Sequence, residues 1–200
     1  FGAGGSTQEG TLNTVLEIRD EGISAAPHLS CIGATRDRIR EIVDEYKANG
    51  IHRIVALRGD IPSGAGDVGD FRYANELVSF LRAEYGNWFQ IGVAANPEFH
   101  PQALSAEADI CNFVNKVKAG ADTAITQYFF NADAYFRFVD DVTARGVTIP
   151  VFPGIMPIQN FSQLARFSDM CGAEIPRWLR LRLQSFGDDT ASIRAFGLDV

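Results

Sequence analysis

Cysteine is scarce in this 200-residue chain: Cys31, Cys111 and Cys171 lie far apart, with no C-x-x-C pair. An odd, scattered set excludes a disulfide framework and a zinc ribbon and suits a reducing compartment, the cytoplasm. No apolar run approaches the ~18 residues of a membrane span, and nothing reads as a signal peptide, so no membrane partner is expected. Positive charge is in deficit: 18 basic and 25 acidic side chains leave a formal charge of −7. Nucleic-acid binders present basic faces to the phosphate backbone, so that partner class is excluded. Histidine occurs three times and never as H-E-x-x-H. His100 with Glu98 is half a metal site without a third near ligand, so no metal is expected. G-x-S-x-G, a Walker loop, a Cys–His–Asn set and paired catalytic carboxylates are all missing, which leaves hydrolase and kinase chemistry unsupported.

What is there is the composition of a folded domain. Hydrophobic residues make up 46% and charged residues 22% of the chain, which is ordinary for a globular protein and unlike a disordered one. The length fits one domain, residues 1–200, and is short for two. Phe1 opens a glycine-rich, loop-like stretch and Val200 follows no clear cap, so the chain is expected to be a piece of a longer protein.

Short apolar runs alternate with amphipathic stretches. Residues 27–32 form the first expected strand. Thr35 caps a helix in which Ile39, Ile42, Val43 and Tyr46 recur at helical spacing until Asn49 and Gly50 end it. The strand at 54–57 runs into Arg58, Gly59 and Asp60, then into a glycine-rich loop, 61–69, long enough to be functional. A helix with Tyr73, Leu77, Phe80 and Leu81 on one face ends at Gly86. A strand at 89–95 leads through 96–101 to a helix phased by Ile110, Phe113, Val114 and Val117. A strand at 123–130 leads to Asn131, a good N-cap, and a helix carrying Tyr135, Phe138, Val139 and Val142. A strand at 149–155 ends at Met156 and Pro157, and Phe161, Leu164 and Phe167 mark the next helix. Trp178, Leu179, Leu183 and Phe186 predict one or two more.

Helices between successive strands make the sheet parallel. No G-x-G-x-x-G follows the first strand, as a dinucleotide-binding doubly wound sheet requires. Instead His28, Arg58 with Asp60, the 96–100 segment and Gln127 gather after several strands, which is the habit of a barrel. The expected class is α/β, a (βα)8 TIM barrel of which about five strands lie in this chain.

Four constellations carry candidate chemistry. Arg58, Gly59 and Asp60 put opposite charges at a strand rim, with glycine allowing close approach; they read as a ligand contact or as a local ion pair. Asp109, Asn112 and Lys116 repeat at i, i+3, i+7 and share a helical face. That face either grips a ribose, an adenine edge and a phosphate, or is a solvated face with an ordinary ion pair. Gln127 near a strand exit suits a heterocycle with amide-like edges, or is a satisfied core amide. Gln159, Asn160, Phe161, Gln163 and Phe167 set amides and aromatics on neighbouring turns, where an aromatic is either core or a stacking platform. Spacing alone stops at a parallel βα-barrel piece that binds a polar cofactor.

Five blocks in order, APHLSCI at 26–32, GIHRIVALRGD at 50–60, VAANPEFHP at 93–101, KVKAGADTAITQYFF at 116–130 and PGIMP at 153–157, resemble the bacterial-type methylenetetrahydrofolate reductase family. The resemblance implies a (βα)8 barrel with FAD at the strand C-terminal ends. It implies NAD(P)H-driven reduction of 5,10-methylenetetrahydrofolate to 5-methyltetrahydrofolate by ping-pong hydride transfer, in a homo-oligomer. Carried over residue by residue, His28, Arg58, Gly59 and Asp60 line the flavin, Asp60 near its pyrimidine side and catalytic. Tyr73 and Ala74 lie along the cofactor, and Asn96 and His100 contact its middle. Asp109, Asn112 and Lys116 hold its ribose, adenine and diphosphate end. Gln127 meets the pterin or the nicotinamide, Gln163 the folate, and Phe167 stacks on either ligand. A carboxylate beside the pyrimidine lowers the flavin potential and stabilises the cationic folate iminium.

Two positions depart from the family pattern: Asn115 stands where a basic residue is common, and Asn96 where an aromatic is often found. The resemblance also puts a proton-donating glutamate ahead of Phe1 and a last strand beyond Val200, so the 200-residue piece alone is expected not to turn over. The competing readings are a non-catalytic cofactor-binding fragment and another βα-barrel enzyme. A Schiff-base aldolase needs a strand lysine, whereas Lys47, Lys116 and Lys118 fall in helical patterns.

Overall fold

A computed structural model describes residues 8–59 and 69–200. Its elements are α1 (Gln8–Asp20), β1 (His28–Ser30), α2 (Arg36–Ala48), β2 (Arg53–Leu57), α3 (Ala74–Tyr85), β3 (Gln90–Ala95), α4 (Ala106–Lys118), β4 (Thr123–Tyr128), α5 (Ala132–Ala144), β5 (Val151–Gly154), α6 (Phe161–Cys171), α7 (Arg177–Ser185) and α8 (Thr190–Asp199). The strands form one five-stranded sheet in the order β1-β2-β3-β4-β5. Each strand thus joins beside its predecessor, with no reversal of order. A doubly wound sheet reverses at a switch point; uninterrupted winding is how a βα barrel grows. Parallel register is seen where His28 faces Val55 and Ser30 faces Leu57, and where Val55 faces Gly92.

Packing gathers the chain into two compact units, Phe1–Ala94 with Asn115–Ala124, and Ala95–Val114 with Ile125–Val200. In the first, Leu29, Ile39, Val43, Ile54, Leu77, Leu81 and Ile91 are almost wholly removed from water. Helix α2 buries Ile39, Ile42, Val43 and Tyr46, and the Thr35 side chain accepts a hydrogen bond from the Arg38 N–H at 3.2 Å. At the start of α3 the Glu76 carboxylate accepts from the N–H groups of Arg72 (2.6 Å) and Tyr73 (3.2 Å), satisfying donors the helix itself cannot.

The sequence reading assigns no element ahead of residue 27, yet α1 is there. Its stripe of Leu12, Val15 and Leu16 is narrow, and among its described side chains only Val15 is buried, so it gives a weak periodic signal. The Arg19 guanidinium ties it to the Asn49 carbonyl at the end of α2.

In the second unit the Asn131 side chain caps α5 by accepting from the Asp133 N–H at 3.0 Å. The rings of Phe113 and Phe138 meet edge to face at 5.2 Å. Ile158, Leu164, Ile175, Leu179, Leu183 and Ile193 gather Tyr128 into one core cluster. The C-terminal pattern resolves into two helices, because Asp189 restarts the chain: its carboxylate accepts from the N–H groups of Ala191 and Ser192, both at 3.1 Å. Strand β5, at the end of the strand order, holds Pro153, which has no N–H to give a ladder and belongs on an edge.

Candidate functional site

The first unit contributes the exits of β1 and β2. Ser30 Oγ donates to the Arg58 carbonyl at 2.9 Å, and the Ile32 N–H donates to the same oxygen at 2.8 Å. Gly59 turns with φ +87°, and a Cβ there would lie 1.9 Å from Ser30 Oγ, so this exit admits no side chain. Cys31, fully buried between these strands, has its thiol pushed up to about 12 by desolvation, so it serves as packing and not as a nucleophile. Tyr73, the N-cap residue of α3, is 54% exposed, an aromatic ring left facing solvent, and Ala74 follows it as the first helical residue.

His28 differs from the strand-exit position read from the sequence. It opens β1 opposite Val55, two residues ahead of the exit, and the two-residue period puts it on the face of Ser30. Asp60 and all but the last residue of the 61–69 loop lie outside the described residues.

Lys116 also belongs to the first unit and donates from Nζ to the Ala94 carbonyl at 2.5 Å. Asp109 and Asn112 belong to the second. Asp109 Oδ2 accepts from the His100 N–H at 2.8 Å, so this carboxylate anchors the loop that follows β3. His100 Nδ1 accepts from the Gln102 N–H at 3.1 Å, which places the proton of a neutral imidazole on Nε2. Asn112 is exposed, and Asn96 is half-buried.

Two features of this loop were missed in the sequence. Phe99 adopts φ +69°, a left-handed conformation that a ring-bearing residue rarely takes. Glu98 Oε2 accepts from the Glu174 N–H at 2.8 Å, while its buried Oε1 has no hydrogen-bond partner among the described residues. Desolvation, then the nearby charge of Glu174, push the Glu98 carboxyl above its ordinary value.

The second unit also holds a pocket of about 460 Å³ beside α6. Asn160 accepts from the Gln163 N–H at 2.9 Å and starts the helix. Gln163, Phe167 and Met170 then repeat at i, i+4, i+7 and line the pocket with Met156 and Gln159. Phe167 and Gln163 are therefore brought together as read from the sequence. The ring of Phe167 is backed by the ring of Tyr128, nearly parallel at 16° and 6.0 Å between centroids. The phenol of Tyr128 is hydrogen-bonded to Ser168 Oγ at 2.9 Å and accepts from the Cys171 thiol at 3.5 Å. Burial first, and the Cys171 contact next, raise the phenol pKa, so it stays protonated. Gln127, half-buried on β4, accepts from the Tyr128 N–H through Oε1 at 3.1 Å, which leaves its NH2 group to donate.

Among the described residues no three His, Cys, Asp or Glu side chains converge as metal ligands, and no helix is long and apolar enough to cross a membrane.

A family model described as methylenetetrahydrofolate reductase matches residues 1–200. The chain is 42% identical over 201 residues to the 5,10-methylenetetrahydrofolate reductases of Salmonella typhimurium and Escherichia coli, covering all of itself and 67% of each relative. It is 35% identical to a Zea mays protein named methylenetetrahydrofolate reductase (NADH) 1, of which it covers 36%. The chain thus spans about two thirds of the length of the bacterial relatives it matches. A solved Clostridium thermocellum protein, described as binding two copies of 5-methyl-5,6,7,8-tetrahydrofolic acid, superposes with a TM-score of 0.61 over 97% of this chain and 66% of its own. At 15% identity that likeness is one of fold alone. Matched along its whole length, at an identity far above that of fold-only likeness, the chain belongs to the methylenetetrahydrofolate reductase family.

Proposed function

We propose that this chain forms the larger part of an FAD-dependent reductase that converts 5,10-methylenetetrahydrofolate to 5-methyltetrahydrofolate at the expense of NAD(P)H, the two substrates taking turns at one site. The observation that carries the reading is the α6 pocket, lined together by Gln163, which the family resemblance gives to the folate, and Phe167, which it gives to whichever ligand occupies that face.

The donor set also fits FAD. A dinucleotide with two phosphates, a ribose and an adenine needs cations, an amide and a carboxylate, and α4 carries Asp109, Asn112 and Lys116 at i, i+3, i+7. The exposed Tyr73 ring and the Arg58 guanidinium supply an aromatic surface and a second cation at the strand exits. When bound, FAD supplies the hydride relay between nicotinamide and folate.

The residues of the chain orient and exclude. Phe167, held by Tyr128, offers a flat face for a pterin or nicotinamide ring. Gln163 carries both a donor and an acceptor, which suits the amide edge of a pterin, and Gln127 takes the same role on β4. Gly59 lets a ligand approach the backbone of the β2 exit. Asp60 supplies the carboxylate that counters the cationic iminium. We place the protein in the cytoplasm, where the thiols of Cys31, Cys111 and Cys171 stay reduced, and as a homo-oligomer.

The test is spectroscopic and uses the protein expressed from its full gene. Flavin absorbance should bleach anaerobically with NADH or NADPH and return on adding 5,10-methylenetetrahydrofolate. Folded protein that takes up no FAD, or colour that the folate does not restore, overturns the reading.

A further inference from the structure

A second cavity of about 560 Å³ borders the α6 pocket, and the two share Asn160, Gln163 and Arg166 as lining. Their chemistry differs. The first is walled by Met156, Leu164, Phe167 and Met170, whereas the second adds only Ser162 and has no apolar residue in its lining. Among the described residues lining either cavity, Arg166 alone is charged, and its guanidinium has no carboxylate within ion-pair distance among them. The cavity also sits over the first turn of α6, which contains no acidic residue. There Ser162 Oγ donates to Asn160 Oδ1 at 2.8 Å, and the positive end of the helix faces the same space. In a chain of net charge −7 this is a local reversal of sign.

An apolar slot with an aromatic floor, opening into a polar annex with one cation, matches an elongated ligand that is flat and aromatic at one end and anionic at the other. We infer that Arg166 and this annex take the glutamate carboxylates of a folate, with the pterin and aminobenzoyl rings in the slot against Phe167. The inference rests on the folate reading above and deepens it, by assigning the tail to a residue that neither the motifs nor the family resemblance singles out. Arg166 is exposed, so its attraction is screened and modest; it tunes which folates are preferred and is no anchor for the ring.

Calorimetric titration of the FAD-loaded full-length protein separates the outcomes, with 5-methyltetrahydrofolate and its tail-less relative 5-methyltetrahydropteroate as probes. Arg166→Gln should weaken the tail-bearing ligand about five-fold, as expected for losing one screened charge pair. It should leave the affinity for the tail-less ligand as it was. Arg166→Lys, which keeps the charge, should recover most of the loss, and raising the salt concentration should shrink the difference between wild type and Arg166→Gln. Equal weakening of both ligands, or no weakening of either, overturns the tail assignment while the folate reading stands. Failure of the wild-type protein to bind either folate overturns both.

Discussion

Gly59→Ala is the sharpest test of how the β2 exit is built. At φ +87° an L side chain incurs a left-handed penalty of about 1–2 kcal/mol. The new Cβ would also stand 1.9 Å from Ser30 Oγ and 2.9 Å from Ile32 Cγ2, so both side chains must move. Displacing Ser30 breaks its hydrogen bond to the Arg58 carbonyl, worth about 1 kcal/mol, and crowding a packed exit adds about 1–2 kcal/mol more. The combined loss is about 4 kcal/mol, or about 2 M in the urea midpoint for a slope near 2 kcal/mol/M. Much of the strain runs through one atom, Ser30 Oγ. Ser30→Ala alone should cost about 1 kcal/mol, yet when added to the Gly59→Ala variant it should cost nothing or restore stability, a coupling of about 1–2 kcal/mol. Urea unfolding of wild type, both single variants and the double variant measures that coupling. A Gly59→Ala cost below about 1 kcal/mol, or strict additivity, would mean the exit is not closed by this contact.

Three further outcomes follow from single contacts. Lys116→Ala should lower FAD affinity about ten-fold, the value of one charge-assisted contact to a phosphate, as read by equilibrium dialysis of the flavin; unchanged retention would remove α4 from the cofactor site. Tyr128→Phe keeps the ring against Phe167 but leaves the buried Ser168 hydroxyl without its partner, so it should cost about 1–2 kcal/mol in urea unfolding, with part of that regained by adding Ser168→Ala. Glu98 has a folded-state pKa raised above its ordinary value of 4.5, so its protonated form is the one folding favours. The stability it contributes is therefore complete below about pH 4.5 and is lost as pH rises through the folded value. Glu98→Gln, which stays neutral, should be relatively more stable than wild type at pH 7 and lose that advantage by pH 4; parallel stability curves would contradict the placement of Oε1.

Much of the fold was legible because its elements obey strong periods. Ile39, Ile42, Val43 and Tyr46 announce α2, and Thr35 and Asn131 act as the caps their side chains allow. Helix α1 was not, because a helix with one buried side chain among those described has little apolar pattern to show. In the site, Gln163 and Phe167 were found as neighbours on one helix, where i and i+4 spacing decides proximity. Tyr128 was not connected to Phe167, since that stacking joins residues of β4 and α6 and only tertiary packing creates it. Glu98 reads in the sequence as half a metal site. Its actual environment, one oxygen on the Glu174 N–H and the other buried without a partner among the described residues, depends on a residue 76 positions away.

The strand exit around Arg58 explains why a rim of polar residues can be placed so firmly on short strands. The carbonyl of Arg58 accepts from the Ile32 N–H at 2.8 Å and from Ser30 Oγ at 2.9 Å, with the Cys31 thiol at 3.8 Å. The backbone is thus fixed by the neighbouring strand and by two of its side chains, before any side chain of Arg58 itself is used. Gly59 then turns in the space where any Cβ would strike Ser30, so the direction of the chain leaving the sheet is set by exclusion. A similar arrangement follows β3. Asp109 holds the His100 N–H and Glu98 holds the Glu174 N–H, and between them Phe99 is kept in a left-handed conformation that it would not choose alone. Side chains that the sequence offers as ligand contacts, Asp109 among them, are therefore also the braces of the loops they stand on. Removing Asp109 takes away a backbone clamp together with the ribose contact proposed for it. Loss of flavin in such a variant would measure positioning as much as binding, whereas Asn112, exposed on the same helix, is the cleaner test of the proposed cofactor contact.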